Sequence, residues 1–483
     1  MKLKELLSQL HILEASADME LEISKVAYDS REVTPGSLFV AISGFASDGN
    51  YYIPMAMEKG AVAVVTAVRP PQDIPYVLVE NDRLALALIG DNFYAHPSRD
   101  MVMIGVTGTN GKTSVTLLLK QVLEAVTGEK VGLIGTMENQ IGDVSIPTDR
   151  TTPESFALQG LFAQMRDAGC KYVVMEVSSH AICLERIGGI TFDVAAFTNL
   201  SEDHLDFHKT MEEYCRAKAQ LFSRCKKGVL NRDDAWYPQM ADNAKCDVLT
   251  TGVRTAADLT ATDISLNADG ISFTAVSGED IAWVSVGIPG RFTVYNVLTV
   301  LGIAKALDIS LEQAARALKK AKGVRGRVEV VPTPGKEYTV LIDYAHTPDG
   351  LENVLRSVRD FCKGKLIAVF GCGGNRDPIK RPIMGKIGVS LSDFAVITSD
   401  NPRNEVPMDI IEDILRGVDA PKDRYAVVEN RREAIRYAMD KAEKNDMIIL
   451  AGKGHETYQE ICGVKHHLDE REEVAAYLKE TRG

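Results

Sequence analysis

Val106-Thr107-Gly108-Thr109-Asn110-Gly111-Lys112-Thr113 lies between an apolar run, Met101 to Val106, and an amphipathic run, Val115 to Val126. That order predicts a strand, a glycine loop and a helix. Gly108 and Gly111 let backbone N–H groups turn inward around a phosphate, and the helix N-terminus adds its partial positive charge. Lys112 is placed to reach the terminal phosphates and the Thr113 hydroxyl to hold Mg2+. Gly108, Thr109, Asn110, Gly111, Lys112 and Thr113 are thus the expected ATP-binding residues. The stretch departs from G-x-x-x-x-G-K-[ST] at its first position, where Val106 replaces glycine.

Composition bounds the partners. The 483 residues are 45% hydrophobic and 25% charged, those of an ordinary soluble globular chain. At roughly 150 residues per domain the length predicts about three domains. No run approaches the ~20 apolar residues that cross a bilayer, and the N-terminus lacks a signal-peptide core, so a cytoplasmic protein without membrane insertion is expected. The net charge of −12 argues against nucleic acid, which needs a basic face. Eight cysteines without a C-x-x-C pair read as free thiols of a reducing compartment.

Along the chain, residues 1–98 read as an α/β unit with strands at Ser37–Ile42 and Ala61–Val65, and His96–Asp100 as a border. Residues 99–330 alternate strand and helix patterns around the glycine loop, with buried parallel strands at Tyr172–Val177 and Val194–Thr198. Within them, 257–287 predict a small antiparallel section. Residues 331–483 repeat strands at Thr339–Ile342, Leu366–Phe370, Ala395–Thr398 and Met447–Leu450, each ending in a polar or glycine-rich loop. The fold class is therefore α/β in three domains. An N-terminal α/β domain precedes a central parallel sheet of the P-loop ATPase kind and a Rossmann-like, doubly wound C-terminal domain.

Three residues outside the loop carry chemistry. Glu176 closes a strand, where a carboxylate suits a second Mg2+ contact or, more plainly, a solvated strand end. His204 and His208 have a spacing that zinc would accept, but no helix signal or third ligand accompanies them, which disfavours zinc. Lys218 lies in the helical pattern Tyr214 to Phe222 and by itself reads as a surface lysine.

Taken in order, Thr107–Thr113, Glu176-Val177-Ser178-Ser179-His180, Asn199-Leu200, His204-Leu205-Asp206, Lys218, Asn296, Gly326-Arg327 and Asp343-Tyr344-Ala345-His346-Thr347-Pro348 resemble the Mur ligases of bacterial cell-wall synthesis. The resemblance runs over essentially the whole chain, and that family also lacks the first glycine of the phosphate loop. Val26 to Arg31, with Pro35-Gly36 and Leu38 to Val40, is similar to the nucleotide-sugar-binding N-terminus of the members that add the third amino acid. The resemblance implies that Ser30 contacts the uridine nucleotide, and that Thr151, Thr152, Ser178 and Arg186 hold the muropeptide acceptor. Leu184 stands where some members have glutamine, and Asn50 where relatives often have histidine. It implies further that Lys218 is carboxylated and that its carbamate, with Thr113, Glu176 and His204, holds Mg2+. Carboxylation turns a cation into an anion, which a metal-rich site favours. Asn296 would meet adenine, Arg327 the ATP phosphates, and Asp343 would orient the nucleotide. Lys112, Lys218, His204 and Arg327 form the implied catalytic set.

The implied activity is an ATP-dependent, ADP-forming amide-bond ligation in peptidoglycan precursor synthesis, and so in cell shape and division. The D-glutamate carboxylate of the UDP-muramoyl dipeptide is phosphorylated, and the acyl phosphate is then attacked by the incoming amine. Catalysis is mostly positioning and charge neutralisation, and no general base stands out. In relatives, Asp400-Asn401-Pro402-Arg403 accompanies meso-diaminopimelate, whose second carboxylate a guanidinium fork matches bidentately. Lysine would leave a buried Arg403 unpaired at about 3–5 kcal/mol, enough for roughly hundredfold selectivity. Arg376, Gly452 and Glu456 would complete that site. The alternative is the L-lysine-adding ligase of the same family, with a folylpolyglutamate synthase or a nucleotide-dependent switch more distant. A monomer working on small molecules is expected.

Overall fold

In the computed structural model, residues 1–44, 47–71, 73–148 and 150–481 are described. They form two compact units, Met1–Thr250 and Thr251–Gly483.

The first unit holds two sheets. Strand Val102–Thr107 runs parallel between Phe192–Phe197 and Tyr172–Glu176, with Cys225–Asn231 and Val131–Ile134 parallel outside them. Two short antiparallel strands, Asn139–Ile141 and Val144–Ile146, extend the second edge. Four of these five parallel strands read as near-continuous apolar runs because helices cover the sheet; Cys225–Asn231 opens exposed. Val106 is wholly buried in the central strand. The position therefore takes a core side chain, and the first positive φ after it falls at Gly108.

The other sheet has the order Ile12–Ala15, Tyr76–Val79, Ala61–Thr66, Ser37–Ala41, Lys25–Ala27, parallel except at its first strand. The border expected near residue 98 lies inside this unit. Helices Asp82–Phe93 and Ser155–Asp167 pack together there, with the rings of Phe93 and Tyr94 at 5.6 and 5.3 Å from Phe156.

The second unit opens with the antiparallel strands expected at 257–287, here Leu259–Asn267, Gly270–Ser277 and Asp280–Val286. Its main sheet has the order Glu329–Val331, Thr339–Asp343, Met447–Ala451, Leu366–Phe370, Phe394–Ile397, Tyr425–Val427, with only the first pair antiparallel. Apolar cores lie on both faces, as a doubly wound sheet requires. Leu266, Ala268 and Phe292 pack on one of them, so the border expected near 330 is also internal to a unit. A hairpin that the sequence reading did not include, Tyr458–Ile461 with Val464–His467, follows the last core strand. Its second strand is exposed throughout, and it lacks the alternation that marks a half-buried strand.

Candidate active site

The glycine loop is braced by bonds to its own neighbours. Gly108 has φ +148°, and a Cβ there would lie 1.9 Å from Thr198 Oγ1. Gly111, at φ +87°, turns the chain into helix Lys112–Thr127. Thr109 N donates to Asn199 O at 2.8 Å and Asn110 N to Asn199 Oδ1 at 3.0 Å. Lys112 Nζ lies across the loop, donating to the carbonyls of Gly108 and Thr109 at 2.9 and 2.8 Å. A phosphate would draw it off those carbonyls, because a charged acceptor makes the stronger bond.

Lys218 overturns its reading as a surface lysine. Helix Met211–Ala219 turns it inward, leaving it 1% exposed, with Nζ donating to Gly108 O at 2.9 Å. Nζ also stands 4.5 Å over the ring of Tyr214, whose hydroxyl meets Thr109 Oγ1 at 3.2 Å. Burial, and then the like charge of Lys112, push the Lys218 amine well below the ordinary lysine range. A neutral buried amine is the form that can add carbon dioxide.

Glu176 is 1% exposed rather than solvated. Its two carboxylate oxygens accept from Thr136 N at 2.9 Å and Thr136 Oγ1 at 3.0 Å. Each oxygen keeps a second lone pair, so both bonds can coexist with a metal contact. His204 precedes the short helix Leu205–His208. It is half exposed at φ +54°, 3.4 Å from Asp203, with its ring 5.0 Å from His180 and 6.3 Å from Tyr214. As a donor set, Thr113, Glu176 and a Lys218 carbamate offer the hard oxygens that Mg2+ takes, and two neighbouring lysines call for added negative charge.

Beside this lies a cavity of about 930 Å3, lined in part by Tyr28, Arg83, Arg150, Glu154, Leu184 and Arg186. Glu154 faces three arginines, Arg83 at 3.8 Å, Arg150 at 3.6 Å and Arg186 at 3.3 Å, so the cluster keeps an excess of positive charge. Arg186 Nη1 donates to Thr152 O at 3.1 Å, and Thr152 Oγ1 donates to Glu176 O at 2.9 Å. Ser178 caps helix Ser179–Cys183, with its Oγ 3.5 Å from Thr152 Oγ1, and Thr151 Oγ1 lies 3.0 Å from Thr136 Oγ1. The four expected acceptor residues are thus joined to Glu176 by one hydrogen-bond chain. Ser30 is buried away from that chain, with Oγ 3.4 Å from Met55 Sδ. Arg83 and Arg150 were not among the expected site residues. Arg150 adjoins Thr151 in sequence, but Arg83 arrives from another helix without a local signal.

In the second unit, Asn296 is buried in helix Arg291–Ala306. Asp343 turns both oxygens onto backbone, accepting from Val328 N at 2.8 Å and Ala345 N at 2.9 Å. Burial raises its carboxyl above the ordinary range although Arg327 and these donors oppose it. The Arg327 guanidinium lies 5.1 Å over the Tyr344 ring, and His455 stacks on the same ring at 5.0 Å.

Asp400 and Asn401 are buried, and Gly452, at φ +121°, leaves room for them: a Cβ there would lie 2.8 Å from Asp400 Oδ2. Lys453, wholly buried, donates from Nζ to Asn401 Oδ1 at 2.9 Å and Glu456 Oε2 at 3.0 Å, while Asn401 Nδ2 reaches the same Glu456 oxygen at 2.9 Å. Arg431, equally buried, pairs with Glu470 at 2.8 Å and lies 3.7 Å from Asp400 Oδ2. Burial would raise Asp400, but Lys453 and Arg431 outweigh it and hold the carboxyl below its ordinary range. Neither cation was expected from sequence. Pro402 O closes over Gly374, where a Cβ would meet it at 1.9 Å, and Arg376 is exposed in the loop beyond.

Arg403 differs from expectation. It is 24% exposed and paired with Glu460 at 3.2 Å. Lysine in the site would therefore not leave a buried, unpaired guanidinium, and the full penalty of about 3–5 kcal/mol does not apply.

Three stretches match domains of known proteins: residues 22–84 the catalytic domain of the Mur ligase family, 106–304 the Mur ligase middle domain, and 326–454 the Mur ligase glutamate ligase domain. Over 99% of its length the chain is 46% identical to the whole of UDP-N-acetylmuramoyl-L-alanyl-D-glutamate–2,6-diaminopimelate ligase 1 of Clostridium acetobutylicum. Over 97% it is 47% identical to 97% of the UDP-N-acetylmuramoyl-L-alanyl-D-glutamate–2,6-diaminopimelate ligase of Caldanaerobacter subterraneus. A solved structure of a UDP-N-acetylmuramoyl-L-alanyl-D-glutamate–2,6-diaminopimelate ligase aligns with 100% of this chain and 99% of its own, at 30% identity and a TM-score of 0.75.

Proposed function

We propose that this chain, which belongs to the Mur ligase family, adds meso-2,6-diaminopimelate to the D-glutamate of UDP-N-acetylmuramoyl-L-alanyl-D-glutamate at the expense of ATP. The observation that carries the ligase reading is Lys218, sealed from water on the carbonyl of Gly108 next to the phosphate lysine. An ordinary nucleotide-binding loop has no use for a second buried amine. Residues 1–98 take the UDP-muramoyl end, 99–330 ATP and the acceptor carboxylate, and 331–483 the amino acid. The enzyme works as a cytoplasmic monomer.

ATP lies on Gly108 to Thr113, with Lys112 on the terminal phosphates, Asn296 on adenine, Arg327 on phosphate oxygens and Asp343 holding the loop that carries them. Thr113, Glu176, His204 and carboxylated Lys218 hold Mg2+, which when bound neutralises phosphate charge. Thr151, Thr152, Ser178 and Arg186 aim the D-glutamate carboxylate at the γ-phosphorus, while Ser30 takes the uridine nucleotide. The carboxylate oxygen forms a bond to phosphorus as the bond to ADP breaks. The amine then attacks the acyl carbon, phosphate leaves, and the amine's proton is released. Most of the acceleration comes from orientation and fixed charge. Asp400 to Arg403, Gly452, Glu456 and Arg376 receive diaminopimelate.

Phosphate release from purified enzyme, ATP and the muramoyl dipeptide, with diaminopimelate and lysine offered in parallel, tests the reading. Turnover with diaminopimelate far above lysine is expected. Equal or preferred use of lysine would reverse the choice of amino acid, and phosphate release without any acceptor would remove the ligase.

A further inference from the structure

Arg403 is gripped by the hairpin that follows the last core strand. Its N donates to Glu460 O at 3.0 Å, and its carbonyl accepts from Cys462 N at 2.8 Å. These bonds hold the backbone at φ +52°, a conformation an arginine rarely adopts unaided. The side chain is held as well, with Nε donating to Glu460 Oε2 at 3.2 Å and Nη1 to Gly374 O at 2.7 Å. Among the described residues nothing bonds to Nη2, so the end of the fork stays open. The same strand ties down the rest of the loop, because Glu460 N donates to Asn401 Oδ1 at 2.9 Å and Gln459 Nε2 to Asp400 O at 2.5 Å.

A guanidinium on a free arginine would lose its rotamer freedom on meeting a carboxylate. Here that freedom is already spent, since one residue of the hairpin supplies both a backbone and a side-chain clamp. Pre-organisation of this kind raises affinity without adding a contact.

Taking Arg403 as a diaminopimelate contact, as proposed above, we infer that Glu460 is a positioning residue for it. Its carboxylate occupies Nε and leaves the Nη end of the fork directed to the second carboxylate of the incoming amino acid. Glu460 thereby contributes to the choice of a dicarboxylic diamine over lysine without touching either.

The test measures kcat and KM of the full-length enzyme for diaminopimelate, lysine and ATP in the wild type, Glu460→Ala, Glu460→Gln and Arg403→Ala. Glu460→Ala should raise the diaminopimelate KM by roughly fivefold to tenfold, the scale of one typical net hydrogen bond. Its kcat, the ATP KM and kcat/KM for lysine should hardly move, so selectivity falls by the same factor. Glu460→Gln keeps an oxygen for Nε and should recover most of the loss. An unchanged diaminopimelate KM in Glu460→Ala, a parallel loss with lysine, or a Gln variant no better than Ala would overturn the inference. Arg403→Ala separates the two levels. If it leaves the diaminopimelate KM unchanged, the amino-acid site itself is misassigned. If it raises KM while Glu460→Ala does not, only the role of Glu460 falls.

Discussion

Lys218 Nζ donates to the carbonyl of Gly108 at 2.9 Å from a position 1% exposed to water. One backbone oxygen thus serves two lysines, because Lys112 Nζ uses it too, at 2.9 Å. Two ammonium groups on a single carbonyl repel each other, and that repulsion is relieved if one is neutral or becomes an anion. Burial already drives Lys218 toward the neutral form.

Lys218→Ala should therefore lose at least about a hundredfold in kcat, the scale seen when a fixed charge-stabilising group is removed from an active site. Short carboxylic acids, small enough to enter the vacated space, should restore part of the rate by supplying the missing anion. Steady-state phosphate release with and without added acetate or propionate measures both effects. A variant fully active without additive would return Lys218 to a structural role.

Gly108→Ala tests the loop by sterics. The new Cβ would fall 1.9 Å from Thr198 Oγ1, and φ +148° is itself hostile to any side chain. The ATP KM should rise at least about tenfold, a cost of ~1.4 kcal/mol or more. The double variant Gly108→Ala, Thr198→Ala relieves the contact but not the dihedral, so only partial recovery should appear. Wild-type ATP affinity in the single variant would mean that nucleotide does not lie on this loop.

The legible parts of this chain are those whose chemistry is contiguous. The phosphate loop carries its turn within a few residues, and each strand-like run that leads to it, to Glu176 or to the Asp400–Arg403 turn overlaps a strand whose ends differ from it by no more than one or two residues. Lys218 was legible only through resemblance, because a helical pattern does not say which face a neighbouring loop will cover. Lys453 and Arg431 escaped for a related reason. Arg431 answers carboxylates distant in sequence, Asp400 and Glu470, and Lys453 reaches across the sequence to Asn401 as well as to Glu456 nearby. Glu460 sits in an exposed hairpin whose pairing leaves no apolar period to read. It mattered most for Arg403, where sequence predicted burial without a partner and the structure supplies one.

Lys453→Met isolates one of these hidden cations. The side chain has similar bulk, so the change removes charge and two hydrogen bonds rather than volume. Glu456 and Asn401 would lose their shared donor in a buried setting, which costs about 3 kcal/mol when one partner of a buried pair is deleted. Thermal and urea unfolding should show that loss, and the diaminopimelate KM should rise with little change in the ATP KM. Unaltered stability would mean that Lys453 is solvated in solution.

Asp400 gives the pH test. Against its burial, Lys453 and Arg431 hold its folded carboxyl below the ordinary aspartate value of 3.8. The unfolded chain therefore binds this proton more readily than the folded one. Ionised Asp400 adds stability above 3.8, and that contribution is lost as pH falls through 3.8 toward the lower folded value. Asp400→Asn cannot titrate, so its melting temperature should be lower than wild type at neutral pH. The two curves should converge as pH falls below 3.8, once the wild-type carboxyl begins to protonate as well. Asp343 supplies the opposite sign, because burial raises it, and Asp343→Asn should not reproduce that convergence. A gap between wild type and Asp400→Asn that stays constant across the acid limb would show that Asp400 is not held ionised by its two cations.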